Sequence, residues 1–153
     1  IVLVNEDFDS RRDAKLRTYK YKILNRIASP AILENQIWHI SKILNFEKMY
    51  KASKLFLGSH DFTTFRASSC TATSPHREIK LSDLKKFNDE IIYTVKSRSF
   101  LQHQVRSMVG AIKAVGENKW TLEHLDEALR SKDRNKCAPP APACGLYLES
   151  IEY

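Results

Sequence analysis

The sequence has little of what nucleotide hydrolases, serine hydrolases and zinc enzymes depend on. Only 4 of its 153 residues are glycine, and it contains no G-x-x-x-x-G-K, G-x-S-x-G or H-E-x-x-H pattern. The three cysteines, Cys70, Cys137 and Cys144, form no C-x-x-C pair, and the five histidines are scattered along the chain. These absences argue against a phosphate-binding loop, a serine nucleophile and a zinc site.

Long apolar runs and a disulfide framework are also lacking. No run approaches about 18 apolar residues, so we expect no membrane span. An odd number of widely spaced cysteines favours reduced thiols in a cytosol-like compartment. The four apolar residues 1–4 are too few for the core of a signal peptide, and they are typical of a strand already in progress. Because the sequence also starts without Met, we expect a fragment of a longer protein.

Positive charge is what the sequence has in excess. Lysine and arginine number 25 against 18 acidic residues, which gives a net charge of +7 and a pI near 9.4. A basic surface attracts polyanions, of which nucleic acid is the commonest. A lysine-rich surface with no such partner is the alternative, and charge alone leaves both open.

Hydrophobic periodicity predicts a single α+β domain over residues 1–153, with a mainly antiparallel sheet covered by helices on one face. Asn45 and Thr121 are residue types that cap helix N-termini. Gly58 is predicted to adopt positive φ at a helix end, and Asn88–Asp89 is predicted to form a turn. The segment 32–40 is irregular, and the three prolines of 133–144 predict a loop. We expect strands over 18–24, 76–83, 90–98 and 146–153, and helices over 45–57, 102–115 and 122–131.

Two segments combine basic residues with candidate site residues. Around Tyr19 and Tyr21, arginines and lysines crowd a predicted strand, a mix that offers phosphate contacts and stacking surfaces for RNA. An edge strand with lysine on its solvent face is the alternative, and either tyrosine could be core. In the second segment, Arg106 lies early in a helix, close to His103, where the helix dipole disfavours a positive charge. A carboxylate or phosphate would compensate it, unless the side chain simply faces water.

These segments, with three others, resemble the tRNA pseudouridine synthase A family. Five motifs occur in the family's order and cover essentially the whole chain, although Gln104 replaces the commoner Met and Ser10 replaces Ala. The motifs are F-D-S-R at 8–11 with R-T-Y-K-Y at 17–21, G-S-H-D-F-T-T-F-R at 58–66 with a later Arg77, F-L-Q-H-Q-V-R at 100–106, D-R at 133–134, and A-P leading to G-L-Y-L at 145–148.

The resemblance implies an enzyme that isomerises uridine to pseudouridine at positions 38 to 40, in the anticodon arm of tRNA. It implies no cofactor, no catalytic metal, and a cytoplasmic or mitochondrial homodimer whose protomers each consist of two α+β halves. The family's nucleophile is an aspartate in a G-R-T-D motif of the N-terminal half, and this sequence has no such motif. We nominate neither Asp9, Asp61 nor Asp133 as its replacement, and we expect Asp61 to organise a turn. A non-catalytic basic RNA-binding module is the alternative function.

The resemblance also implies roles for individual residues. Tyr19 matches a tyrosine that stacks on the target uracil, Arg106 an arginine that pairs with the catalytic carboxylate, and Leu146 an apolar wall of the uracil pocket. Candidate RNA-binding residues are Arg11, Arg17, Lys20, Arg66, Arg77 and His103. For the four arginines, structural ion pairs are the alternative.

Overall fold

A mixed sheet covered by helices makes up the part of the chain that the computed structural model describes, residues 3–32 and 35–153. In these residues there are six strands and three α-helices. The strands are β1 (Leu16–Asn25), β2 (Trp38–Ile40), β3 (Gly58–Asp61), β4 (His76–Phe87), β5 (Glu90–Ser97) and β6 (Leu146–Glu152). The helices are α1 (Phe46–Lys54), α2 (Gln104–Gly116) and α3 (Leu122–Ser131).

Strand β1 lies at the centre of the sheet. Its neighbours are β5, which pairs with it antiparallel along almost its whole length, and then β4 and β3 beyond β5. The other edge of β1 is shared: β6 pairs antiparallel with residues 16–21, and β2 pairs parallel with residues 23–25. The predicted α+β class with a mainly antiparallel sheet is therefore confirmed.

Alternating side chains of the strands form the core against the helices. Tyr21 and Ile23 of β1 lie opposite Tyr93 and Ile91 of β5, and all four are essentially inaccessible to solvent. Because successive strand residues point to opposite faces, this register commits the same face of β1 and β5 to the helices. That face also carries Tyr19, one step further along β1, where the helix layer no longer covers it fully.

Local signals in the sequence define most element ends. The side chains of Asn45 and Thr121 accept hydrogen bonds from the backbone N–H groups of Lys48 (3.0 Å) and His124 (3.1 Å), so both predicted N-caps are confirmed. Gly58 has φ +90°, as predicted, and Asn88 in the β4–β5 turn has φ +51°. The carboxylate of Asp61 accepts from the backbone N–H of Thr63 at 2.9 Å, which is the predicted turn.

Several predicted boundaries are wrong. The short strands β2 and β3 were not predicted, because a few residues carry too little periodicity to reveal pairing partners distant in the chain. Helix α1 ends at Lys54, and α2 begins at Gln104 rather than at 102. The predicted strand over 1–4 falls partly outside the described residues, and Leu3 and Val4 are exposed and belong to no strand.

Candidate nucleic-acid and active site

A cavity of about 700 Å³ opens where β1 enters the sheet, between that strand and the start of α2. It is lined by six arginines, and none of its lining residues, all of which belong to the described part of the chain, is acidic. Such a concentration of one charge in a concave surface produces a strong positive potential. The six are Arg11, Arg12, Arg17, Arg77, Arg98 and Arg106.

Tyr19 provides an aromatic wall of this cavity. Its ring is half-buried and packs edge-on against Phe100, with 5.2 Å between the ring centroids. Tyr21, two residues further, is fully buried, and its hydroxyl donates to the Pro142 carbonyl at 2.6 Å. Burial raises the pKa of the Tyr21 phenol far above its usual value. The alternatives for the two tyrosines therefore resolve differently, since Tyr21 belongs to the core and Tyr19 faces the cavity.

Arg106 reaches the cavity from the first turn of α2. It is held there by the loop of residues 133–144, called the proline-rich loop below. Its Nε donates to the Ala141 carbonyl at 2.6 Å, and the Ala141 N–H donates to the Arg106 carbonyl at 2.9 Å. The loop approaches so closely at Gly110 that a Cβ built there would lie 2.1 Å from the Pro139 carbonyl oxygen. A helix residue with a side chain at position 110 would push the loop away from Arg106.

Leu146 follows the same loop and forms the apolar side of the cavity. It is the first residue of β6, and it pairs with Tyr21 of β1. The preceding Gly145 lies so close to the Lys22 carbonyl and the Tyr21 ring that a Cβ would meet both within 2.7 Å. Tight packing at Gly145 thus fixes where Leu146 enters the cavity.

Arg17 joins two segments of the cavity lining by hydrogen bonds. Its two terminal nitrogens donate to the backbone carbonyls of Arg98, at the end of β5, and of Arg11, in the loop before β1. The side chains of Arg11 and Arg98 are themselves exposed. Arg17 thereby joins two segments that are far apart in sequence, and each of them contributes an arginine to the cavity.

Arg77 and Cys70 both line the cavity and lie close enough for their charges to interact. Arg77 donates to the carbonyls of Ser74 (2.9 Å) and His76 (2.6 Å), and burial lowers the pKa of its guanidinium. Burial alone would raise the pKa of the Cys70 thiol. Hydrogen bonds from the backbone of Ala72 and Gln102, together with the nearby arginines, lower it instead.

Two predicted RNA-binding residues do not line the cavity. The Lys20 ammonium pairs with Glu149 at 2.7 Å on the neighbouring strand β6. Arg66 lies outside the cavity lining, and its backbone carbonyl accepts a hydrogen bond from Arg134 at 2.9 Å. His103 does line the cavity, but it precedes α2 with φ +61°, so it is not a helical neighbour of Arg106 as the sequence suggested.

The sequence placed Arg12 in the basic cluster around Tyr19 and Phe100 in the second candidate segment, but neither was nominated individually, and Arg98 was not considered for the site. All three line the cavity. Arg98 ends a predicted strand and carries no such signal. Within residues 3–32 and 35–153, no group of three or more His, Cys, Asp or Glu side chains has the geometry to hold a metal ion. In the same residues, no helix has both the length and the apolar character needed to cross a membrane.

Comparison with known proteins identifies the family of this chain. Residues 52–153 match the profile of a family described as tRNA pseudouridine synthase. The chain belongs to the tRNA pseudouridine synthase family. Among curated relatives, all named tRNA pseudouridine synthase A, the proteins of Pelagibacter ubique and Bartonella tribocorum are 50% and 45% identical to this family member over 146 and 150 residues. The protein of Azorhizobium caulinodans is 44% identical over 150 residues.

In each comparison the aligned region covers nearly all of this chain but only part of the relative. It includes 95% of this chain for the Pelagibacter relative and 98% for the other two. It includes 59%, 61% and 58% of the three relatives, in the same order. The chain therefore spans less than two thirds of the length of these tRNA pseudouridine synthases.

Proposed function

We propose that this chain is the C-terminal half of an enzyme that isomerises uridine to pseudouridine in the anticodon arm of tRNA, at positions 38 to 40. In this proposal residues 1–153 form a domain that binds RNA and supports catalysis, while the other half supplies the aspartate nucleophile. The observation that carries the proposal is the meeting of Tyr19, Arg106 and Leu146 in one arginine-lined cavity that has no carboxylate among its lining residues.

Arg106 would hold the incoming aspartate ionised and oriented. Its Nε is occupied by the Ala141 carbonyl, whereas its two terminal nitrogens have no hydrogen-bond partner among the described residues. A guanidinium anchored in this way presents a fork that matches both oxygens of a carboxylate. A carboxylate there would also compensate the unfavourable position of Arg106 in the first turn of a helix.

Tyr19 and Leu146 would bind the target base. A cavity of about 700 Å³ is large enough for a nucleotide that has left the base stack. The half-buried Tyr19 ring offers a stacking surface, and its edge-on contact with Phe100 limits its rotation. Leu146 would form the apolar wall, and the hydroxyl of Tyr19 would assist proton transfer.

The proposal extends to partners and location. The net charge of +7 and the arginines at the cavity support a tRNA substrate. We further propose a homodimer, which the resemblance implies and which sedimentation of the purified protein would test. Three cysteines free of disulfide bonds fit a reducing compartment, and we propose the cytoplasm, with the mitochondrion as the alternative.

A non-catalytic RNA-binding module is the second candidate, because the cavity has positive charge and a stacking surface but no acidic residue. The experiment that separates the two is incubation of a tRNA transcript with the complete gene product and with residues 1–153 alone. Pseudouridine in the anticodon arm is then measured. We expect formation by the complete gene product only. Binding without turnover by the complete gene product would support the module, and turnover by residues 1–153 alone would refute the assignment of the nucleophile to the other half.

A further inference from the structure

The guanidinium of Arg17 bonds to the protein backbone at the cavity. Its two terminal nitrogens donate to the carbonyls of Arg11 and Arg98, which both line the cavity. A guanidinium fork can join two acceptors in a fixed geometry, which a lysine ammonium on its flexible stem does not reproduce. The cationic group of Arg17 therefore faces protein carbonyls, although its sequence position suggests an RNA contact.

The backbone of Arg11 is fixed from both sides. Its N–H donates to the Asp9 carboxylate at 2.8 Å, which also accepts from the Arg12 N–H at 3.0 Å. These two backbone hydrogen bonds lower the pKa of Asp9, so the turn is held while that carboxyl is ionised. Because its N–H is held by Asp9 and its carbonyl by Arg17, the backbone of Arg11 is fixed, and its long side chain extends from a fixed position.

The side chains of Arg11 and Arg98 are free to meet a ligand. Both are exposed and line the cavity, and neither guanidinium has a hydrogen bond or ion pair with any described residue. Arg12 differs, because its Nε lies 3.5 Å from the Asp9 carboxylate. The backbone carbonyls of Arg11 and Arg98 bond to one guanidinium, so the two residues start from neighbouring points of the chain. Although the charge of Arg11 also acts on Asp9, an anion at the cavity would be attracted by both exposed side chains.

We propose that Arg11 and Arg98 form a phosphate-binding pair for the RNA strand that enters the cavity, and that Arg17 is the positioning residue that holds the pair. This proposal rests on the proposed function. A base stacked on the half-buried Tyr19 leaves its own and the neighbouring phosphates toward solvent, where the exposed pair lies. Arginine forks recognise phosphate oxygens in pairs, and phosphate contacts orient a nucleic acid without reading its sequence.

The first test measures binding of a fluorescent tRNA anticodon stem–loop to the complete gene product over a series of KCl concentrations. Arg11→Gln and Arg98→Gln are compared with Arg130→Gln, which removes the same charge from an exposed arginine of α3 outside the cavity. Each lost phosphate contact lowers the slope of log K against log salt by about 0.7 to 0.9. We expect that reduction in both cavity variants and no change in slope in the control.

The second test separates positioning from direct contact. Arg17→Lys keeps the charge but not the fork, so we expect weaker binding of the stem–loop and a raised KM with kcat retained. In the Arg17→Lys background, Arg98→Gln should then weaken binding less than it does in the unmodified protein, because the pair is already displaced. If Arg17 itself bound phosphate as a charge, Arg17→Lys would bind normally.

The outcomes distinguish this proposal from the function on which it rests. If the unmodified protein forms pseudouridine while Arg11→Gln and Arg98→Gln bind RNA like Arg130→Gln, the phosphate pair is refuted and the proposed function stands. If the unmodified protein neither binds nor modifies tRNA, both are refuted. Normal binding and KM in Arg17→Lys would overturn the positioning role alone.

Discussion

Arg106 and Ala141 exchange two hydrogen bonds across the gap between α2 and the proline-rich loop. The Ala141 N–H donates to the Arg106 carbonyl at 2.9 Å, and the Arg106 Nε donates back to the Ala141 carbonyl at 2.6 Å. Both ends of the arginine are thus fixed by one residue, which is itself fully buried. The terminal nitrogens of the guanidinium are left to the cavity, so substitutions that disturb this arrangement should affect turnover.

Arg106→Lys should lower kcat on tRNA by about 100-fold, because removing a donor preorganised toward a reacting group has effects of this size. Lysine keeps the charge but loses both the bond to Ala141 and the fork. The measurement is pseudouridine formation by the complete gene product under saturating tRNA. Arg130→Lys, on the exposed face of α3, is the matched control and should turn over normally. Near-normal turnover by Arg106→Lys would contradict the assigned role.

Gly110→Ala should destabilise the protein, although alanine ordinarily stabilises a helix interior by about 1 kcal/mol relative to glycine. The added Cβ would lie 2.1 Å from the Pro139 carbonyl oxygen, and overpacking of this kind costs about 1–3 kcal/mol. Urea unfolding measures the change. Because the displaced loop carries the Ala141 carbonyl, kcat should fall as well. A variant more stable than the parent and fully active would show that the loop contact is unimportant.

Tyr19→Leu should reduce turnover by about 10- to 100-fold, since stacking of a base on an aromatic ring is worth about 1–3 kcal/mol. Tyr19→Phe keeps the ring, so any further loss in that variant measures the contribution of the hydroxyl to proton transfer. Kinetics on a tRNA transcript report both values. Tyr50→Leu alters a tyrosine of α1 outside the cavity and serves as the control. Unchanged turnover by Tyr19→Leu would return Tyr19 to a packing role.

Glu117→Gln should make stability less dependent on pH. Burial acts to raise the pKa of Glu117, whose side chain is only 8% exposed, but Lys113 (2.8 Å) and Lys119 (3.0 Å) outweigh it and lower the pKa below 4.5. A lowered folded-state pKa stabilises the protein fully above 4.5, and this contribution disappears as the pH falls through the folded-state value.

The variant should therefore be less stable by about 1 kcal/mol at pH 7, and the difference should vanish in acid. Chemical unfolding across this pH range measures it. Glu127→Gln changes an exposed residue of α3 and should show no such trend. An equal loss of stability by Glu117→Gln at acid and neutral pH would contradict the ion-pair explanation.

The elements that sequence reasoning predicted are those whose signals are local. The N-caps at Asn45 and Thr121 were predictable because a capping side chain bonds a backbone N–H three residues away. The faces of β1 and β5 were predictable because a two-residue period reports burial directly. Strand β2 was not predictable, because its three residues exist as a strand only through pairing with residues 23–25 of β1.

In the candidate site, too, the sequence identified some features and only the structure revealed others. Motif resemblance was enough to nominate Tyr19, Arg106 and Leu146, but it also nominated Lys20, whose charge is engaged by Glu149. It left Arg17 open between an RNA phosphate and a structural ion pair, whereas the folded chain turns that guanidinium toward two backbone carbonyls. Which cations remain available to a ligand depends on acceptors contributed by distant segments, and a motif does not contain that information.

By itself, the sequence determined the fold class, the excess of positive charge and the absence of the family's nucleophilic motif, because composition and short-range periodicity encode these directly. Only the tertiary structure decided that Tyr19 faces a cavity while Tyr21 belongs to the core. It also decided that Ala141 orients Arg106 and that Arg17 bonds to the carbonyls of Arg11 and Arg98. Each of these depends on a contact between segments far apart in the chain. Such contacts form only when the sheet register and the close approach of the proline-rich loop at Gly110 are in place.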